Sequence, residues 1–578
     1  MKIQIRRRNL MLRAAGALVL LVAASSFGAP AVRGDELQNI SREFWRWRAA
    51  NQPVTGDDIP RLDRPADWAP DWTRAAVARR RAEVAAFESR LEKIDASGLP
   101  VAWQVDRRLL RSAFARVRWE LDVERGWERN AMFYVDQTLG AVLDALLEPP
   151  PFSKGRAAQI SRRLASIPAT VESAKGNLRL AQGPFAGLAI ASLEGIRERL
   201  SSSLRELKPL LPAGTGADID PAAARAIAAL ENYRDWLGNR LPALRVQTAV
   251  GREAYLFFLR NVALLPFTPE ELLAMGRQEW ARSVARETHE EARNAGLPAP
   301  AMAPDQAAQI ASLDRAEAAT RRFLEDRNLL TVPSSVRRYR ELPLPGYLSP
   351  LASLGELDDL TSETRRGQSA VRYIPRPDPS LGFFALSMAR DPRPILVHEG
   401  LPGHAFQLAM SWAHEDPVRR GYYDSSANEG IAFYAEEMML DAGFFDDSPR
   451  VRETIESFLR LRALRVEVDV RLALGDFSIE QAAEYLARTV PMDPGTARAE
   501  AAAFASTPGQ AISYEIGKLQ ILRFLADARR AQGEKFSLRA FHDFLWKNGN
   551  VPIALQRWEL LGLRDELDLL DKPADRKR

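Results

Sequence analysis

The sequence contains no cysteine, and only five histidines, in 578 residues. The first absence excludes disulfides, thiolate catalysis, iron–sulfur clusters, cysteine-ligated zinc and a lipid-modified cysteine anchor. Any metal site must therefore be built from His, Asp and Glu. Past residue 31 there is no apolar run long enough to cross a bilayer, so no membrane span is expected once the N-terminus is removed. A strong charge of one sign is missing too. The formal net charge is +4, but Lys2, Arg6, Arg7, Arg8 and Arg13 lie in the first 31 residues with no acid among them. Removing those five charges takes the balance from +4 to −1, and a nucleic-acid partner gains no support.

Residues 1–31 read as a signal peptide. A basic start leads into an apolar segment from Ala14 to Ala24 and small residues ending in Ala29-Pro30-Ala31. Arg7-Arg8-Asn9-Leu10-Met11 also resembles a twin-arginine export signal. The expected location is periplasmic or secreted. With 46% hydrophobic and 27% charged residues, the rest has the composition of a globular protein.

Most of that remainder has helical periodicity. Amphipathic stretches at about 73–95, 103–125, 155–182 and 187–207 alternate Arg and Glu with Leu, Ala and Val. The Pro-, Gly- and Ala-rich segment from Lys208 to Pro221 marks a boundary between two lobes, 35–210 and 221–578, of a single domain spanning 32–578. Pro221 opens a helix to about Leu237. Thr268-Pro269-Glu270-Glu271 is a strong helix start, leading to about Asn294. Between 329 and 385 the periodicity fades, and Leu329-Leu330-Thr331-Val332 and Ala370-Val371-Arg372-Tyr373-Ile374 suggest short strands beside a cleft. Helices then resume, followed by a polar tail from Asp571 to Arg578. The fold class is mainly α, a large multi-helix fold with a few short strands.

Three of the five histidines fall in residues 394–414, within Val-His398-Glu399-Gly-Leu-Pro402-Gly-His404 and ending at His414. Imidazoles beside a carboxylate supply metal ligands and a base for metal-bound water. The familiar motif has two histidines one helical turn apart. Six residues on an undistorted helix is instead about 240° of rotation, which would point His398 and His404 apart. Pro402 removes the N–H that a continuing helix needs, and Gly400 and Gly403 let the backbone loop out. The spacing therefore predicts a helix break between the two histidines.

A catalytic zinc usually has three protein ligands. Glu429 shares a helical stripe with Ala432, Phe433 and Glu436, and a carboxylate there needs either a metal or a capping or salt-bridge partner. His414 is another candidate, but it lies about 15 Å along a helix from His404 and reads as structural. Arg465 and Asp469 are one turn apart, either as an intrahelical ion pair or with Arg465 free for a substrate carboxylate. Gln510, Tyr514, Gly517 and Lys518 share one stripe of a helix begun after Pro508-Gly509, and Tyr514 could donate to an oxyanion. His289, His542, Tyr422, Tyr423 and the N-terminal tryptophans read as surface or packing residues.

The run His-Glu-Gly-Leu-Pro-Gly-His-Ala-Phe-Gln resembles the signature of the bacterial domain-of-unknown-function family 885. The likeness extends through Phe44-Trp45-Arg46-Trp47, Pro53-Val54-Thr55-Gly56, Phe267 to Gly276, Glu429 to Glu436 and Pro508 to Lys518. That family is similar to helical, gluzincin-type zinc peptidases. The resemblance implies a zincin-like fold with a central cleft lined by residues 370–440 and 465–518. It also implies one Zn2+ per chain on His398, His404 and Glu429, with Glu399 as general base and acid. Tyr514 is then a catalytic candidate, and Arg465, Gln510 and Lys518 are substrate contacts. The expected substrate is a peptide or another small amide. Ala405, Ile431 and Ala473 depart from the family pattern, and the residue at 473 is expected to have been a substrate contact. The alternatives are a catalytically weak or inactive peptide-binding protein on the same scaffold, and a metal-dependent amidase or esterase with a non-peptide substrate.

Overall fold

A computed structural model describes residues 34–55, 63–96, 98–490 and 492–572. The signal peptide and the end of the polar tail lie outside the described residues. The chain is mainly α, with one small three-stranded sheet.

The N-terminal helices pack by their Leu, Val, Ile and Ala stripes into the largest apolar cluster. They comprise residues 34–51, Arg74–Glu92, Val101–Arg118, Lys154–Asn177, Ile196–Leu207 and Ile219–Arg240. Phe44 sits at its centre, its ring edge-on to Phe87 and Phe114, so the Phe-Trp-Arg-Trp motif serves packing. Val551, Leu555, Trp558 and Leu567 join the same cluster, so the end of the described chain returns to its beginning. Arg260 donates to the carbonyls of Leu569, Leu570 and Lys572 there.

One expected boundary moves, one holds and one expected strand is absent, each for a local reason. The helix expected over 187–207 is broken at Gly195, whose φ of 60° ends Gly183–Ser192 and caps Ile196–Leu207. Thr268 caps Pro269–Arg293 through a capping box: its hydroxyl accepts from the Glu271 N–H, and the Glu271 carboxylate accepts from the Thr268 N–H. The segment Leu329–Val332, expected as a strand, is not one. The Leu329 carbonyl accepts from His542, and the Thr331 N–H and hydroxyl donate to Asp543, so side chains of a later helix take the place of a strand partner.

The sheet stands where the periodicity fades. Strands β1 (Tyr339–Pro343), β2 (Asp358–Asp359) and β3 (Ala370–Ile374) lie in the order β1-β3-β2, with β1 parallel and β2 antiparallel to β3. Against it the histidine segment meets two helices that cross at unusually close range, Ser425–Asp441 and Ser513–Gln532. A Cβ on Gly430 would lie 2.6 Å from the Cα of Gly517, and one on Gly517 would overlap the Ser426 carbonyl. Backbone touches backbone there, and only glycine allows it. Among the described residues no helix is long and apolar enough to cross a membrane.

Candidate metal centre

The histidine segment breaks between its two imidazoles, as the Pro402 argument requires. Leu396–Gly400 forms a single π-helical turn carrying His398 and Glu399. Leu401 is extended, the Leu401–Pro402 peptide is cis, and His404 opens a new helix to Trp412. Gly403 passes so close to the preceding turn that a Cβ there would overlap the His398 carbonyl. The Trp546 indole N–H donates to the Pro402 carbonyl at 2.6 Å and pins the loop.

The break turns the two rings toward each other. Their centroids are 4.8 Å apart and nearly perpendicular. Nε2 of His398 and Nε2 of His404 lie 3.4 and 3.1 Å from Oε2 of Glu429. Zinc–ligand bonds of about 2.0–2.1 Å in a tetrahedron put ligand atoms about 3.3 Å apart. The observed separations fit that figure. All three groups are buried, and Glu429 Oε2 makes no aligned hydrogen bond, so the three atoms face a common point rather than one another. Among the described residues this is the one group of three or more His, Asp or Glu able to hold a metal.

The neighbouring polar groups hold these three side chains in place. His398 Nδ1 is 2.6 Å from Oε1 of Glu436, two helical turns beyond Glu429 on the same helix. That contact makes Nδ1 the donor and leaves Nε2 free for the metal. Asn428 donates to Gln407, whose own amide donates to Gly549 and Asn550; this ties the His404 helix to the Glu429 helix. Nδ1 of His404 is buried with no partner among the described residues. Burial alone would raise the Glu429 carboxyl and lower His398. The mutual ion pairs win in both cases, holding Glu429 well below the carboxylate range and lifting His398 to about 9.

Glu399 stands on the same turn as His398, with its carboxylate 23% exposed. Burial favours its neutral form, but Arg372 and the two histidines outweigh that and keep it below its ordinary pKa. Arg372 belongs to β3, and its Nη1 lies 3.2 Å from both Glu399 and Asp358. Tyr339 of β1 donates to Asp358. The sheet thus delivers one guanidinium to the proposed base.

On the other side, the Tyr514 ring stacks on His398 at 6.0 Å and 13°. Burial raises its hydroxyl well above the ordinary value, keeping it a donor. Gln510 contacts that hydroxyl at 3.4 Å, from the turn before the helix and not from the expected stripe, because the helix begins at Ser513. The Arg465 guanidinium lies 4.6 Å over the same ring.

Three expectations are corrected. Arg465 does not pair with Asp469; its Nε and Nη2 bind Glu500. Asp469 instead accepts from the Gly509 and Ala511 N–H groups and from Tyr255, fixing the turn that leads to Tyr514. Lys518 is no substrate contact, because it is fully buried among Glu515, Glu437 and Glu279 at 3.0, 3.1 and 3.8 Å. Ala473 is buried in an apolar cluster with Tyr255 and Val470 and faces no polar group of the candidate site. His414 is structural as expected, its Nδ1 accepting from the Asp416 N–H. His289 is exposed, and His542 is buried against Tyr434.

Sequence reasoning passed over Glu436 and Arg372 as site residues. The seven-residue step from Glu429 was a usable signal for the first. Nothing local marks the second, since its role depends on the pairing of β3 with β1 and β2.

Comparison with known proteins bears on the fold. The family model for bacterial proteins of unknown function, DUF885, matches residues 56–559. Two solved structures are similar along nearly their whole length. A candidate lipoprotein of unknown function from Shewanella oneidensis has a TM-score of 0.65 at 17% identity, over 92% of this chain and 98% of its own. A candidate lipoprotein from Colwellia psychrerythraea has a TM-score of 0.72 at 15% identity, over 95% and 99%. Among curated proteins no sequence matches the chain significantly.

Proposed function

This chain belongs to the bacterial DUF885 family, whose function is unknown, and from its site we propose that it is an exported zinc-dependent hydrolase, foremost a metallopeptidase. The observation that carries the reading is the convergence of His398, His404 and Glu429, with the partly exposed Glu399 on the adjoining turn. Two imidazoles and a carboxylate are a zinc donor set, and one open position is what a catalytic site needs. The bound metal supplies a more acidic water and a polarising charge for a carbonyl.

The protein side of the chemistry follows from position. Glu399, held ionised by Arg372, accepts a proton from water and returns it to the leaving amine. The Tyr514 hydroxyl, kept protonated by burial, donates to the oxygen on which charge develops. Arg465 spends two donors on Glu500, and its Nη1, without a partner among the described residues, is left for a substrate carboxylate. The signal-like N-terminus and the lipoprotein descriptions of both structural relatives support an exported or envelope-associated protein.

The test is metal analysis of the purified chain with a peptide-library digest, run with and without chelator beside amide and ester substrates. One zinc per chain and chelator-sensitive peptide cleavage are expected. Cleavage of esters alone moves the reading to a non-peptide hydrolase. Zinc without turnover leaves a peptide-binding protein, and no zinc overturns the metal reading itself.

A further inference from the structure

Arg462 lies on Pro449–Leu474, one turn before Arg465, and is only 3% exposed. Its Nη2 is 3.3 Å from Oε1 of Glu436, the same oxygen that meets His398 Nδ1. Nε and Nη1 are buried and have no hydrogen-bond partner among the described residues. Four rings surround the guanidinium instead: Phe458 at 4.9 Å, Phe433 at 5.6 Å, Phe384 at 5.7 Å and Tyr514 at 5.8 Å.

This is an expensive arrangement. A buried cation with two unsatisfied donor edges is disfavoured against an apolar side chain of similar size, even with aromatic faces to soften the cost. Packing alone would be better served by methionine. Among the described residues the one charged group Arg462 touches is Glu436, which is itself fully buried, with Oε2 unpartnered. Glu436 in turn has two contacts that fix its orientation, His398 and Arg462.

We propose that Arg462 is a positioning residue of the metal centre, acting through Glu436 to hold the His398 ring with Nε2 toward the metal and so setting metal affinity. The inference rests on the zinc reading above. Without the guanidinium, Glu436 loses its fixed counter-charge, and the His398 ring loses the anchor that orients it. Partners of this kind are worth about 10–100-fold in metal affinity. Direct repulsion between the guanidinium and a divalent cation acts in the opposite direction, so the sign of the effect decides the matter.

The experiment measures zinc affinity by chelator competition for wild type, Arg462→Met, Arg462→Lys, Glu436→Gln and the Arg462→Met/Glu436→Gln double variant, with metal-free melts to check folding. Arg462→Met is expected to bind zinc about 10–100-fold more weakly, and Arg462→Lys to keep part of the affinity. In the Glu436→Gln background the Met substitution should add less than about twofold, because its route to the metal is already cut. Equal or tighter binding by Arg462→Met overturns the proposal, as does an undiminished loss with Glu436→Gln in place. If the single Met variant does not fold, the double variant against Glu436→Gln gives the decisive comparison. Wild type that binds no zinc sinks the underlying reading, a different result from either.

Discussion

The Cα of Gly403 sits against the carbonyl of His398 so closely that a Cβ would overlap the oxygen. This contact folds the six-residue spacing so that both imidazoles reach Glu429. Gly403→Ala should therefore cost at least about 2 kcal/mol of stability and lower zinc affinity at least about tenfold, because the overlapping atom is backbone and cannot rotate away. Calorimetry and chelator competition on the variant measure both; an alanine protein with native affinity would show that the turn relaxes freely.

Glu399→Gln and Glu429→Gln should separate base from ligand. The first is expected to keep its zinc and lose about 10²–10⁴-fold in kcat. The second should lose zinc affinity by more than about 100-fold, with activity lost through it. Metal content and single-turnover rates, measured on the same samples, distinguish the two patterns.

Lys518→Met tests the corrected role of that lysine. It leaves Glu515, Glu437 and Glu279 with less compensation in a closed interior, and a loss of about 3–5 kcal/mol is expected. KM should not change at a temperature where the variant is folded. A raised KM without loss of stability would return Lys518 to the substrate site.

His542 supplies a pH-dependence away from the metal. Burial lowers its pKa from 6.5 to about 4, against the opposing hydrogen bond to Leu329. The folded state therefore holds it neutral while the unfolded state takes up a proton between those values. Its contribution is fully present above pH 6.5 and is lost as pH falls toward 4, up to about 3 kcal/mol in all. Urea unfolding of wild type and His542→Gln across that range should show the difference between them growing with pH.

The helices, their caps and the break at Pro402 were legible because each has a local cause: periodicity, a Thr-Pro-Glu-Glu start, a missing N–H. His398 and His404 could be paired for the same reason, whereas Glu429 stood out as a carboxylate on an apolar stripe and was joined to them by the family resemblance. Arg465 and Lys518 misled because a helical stripe tells which residues share a face but not what that face meets. Here Glu500 met Arg465, and Glu437 and Glu279 of other helices joined Glu515 around Lys518. Arg372 and the β1 pairing depend on contacts across some thirty residues of irregular chain, which no local pattern encodes.

The Gly430–Gly517 crossing has a mechanical consequence. Glu429 stands one residue from that weld and Tyr514 three, so the candidate ligand and the phenol ride on one tightly joined pair of helices. Glu399 and Arg372 stand on other elements, the π-helical turn and strand β3. In the proposed hydrolase, accommodating substrates of different bulk would then fall to the turn and the strand that carry Glu399 and Arg372, and differences in preference should be sought there.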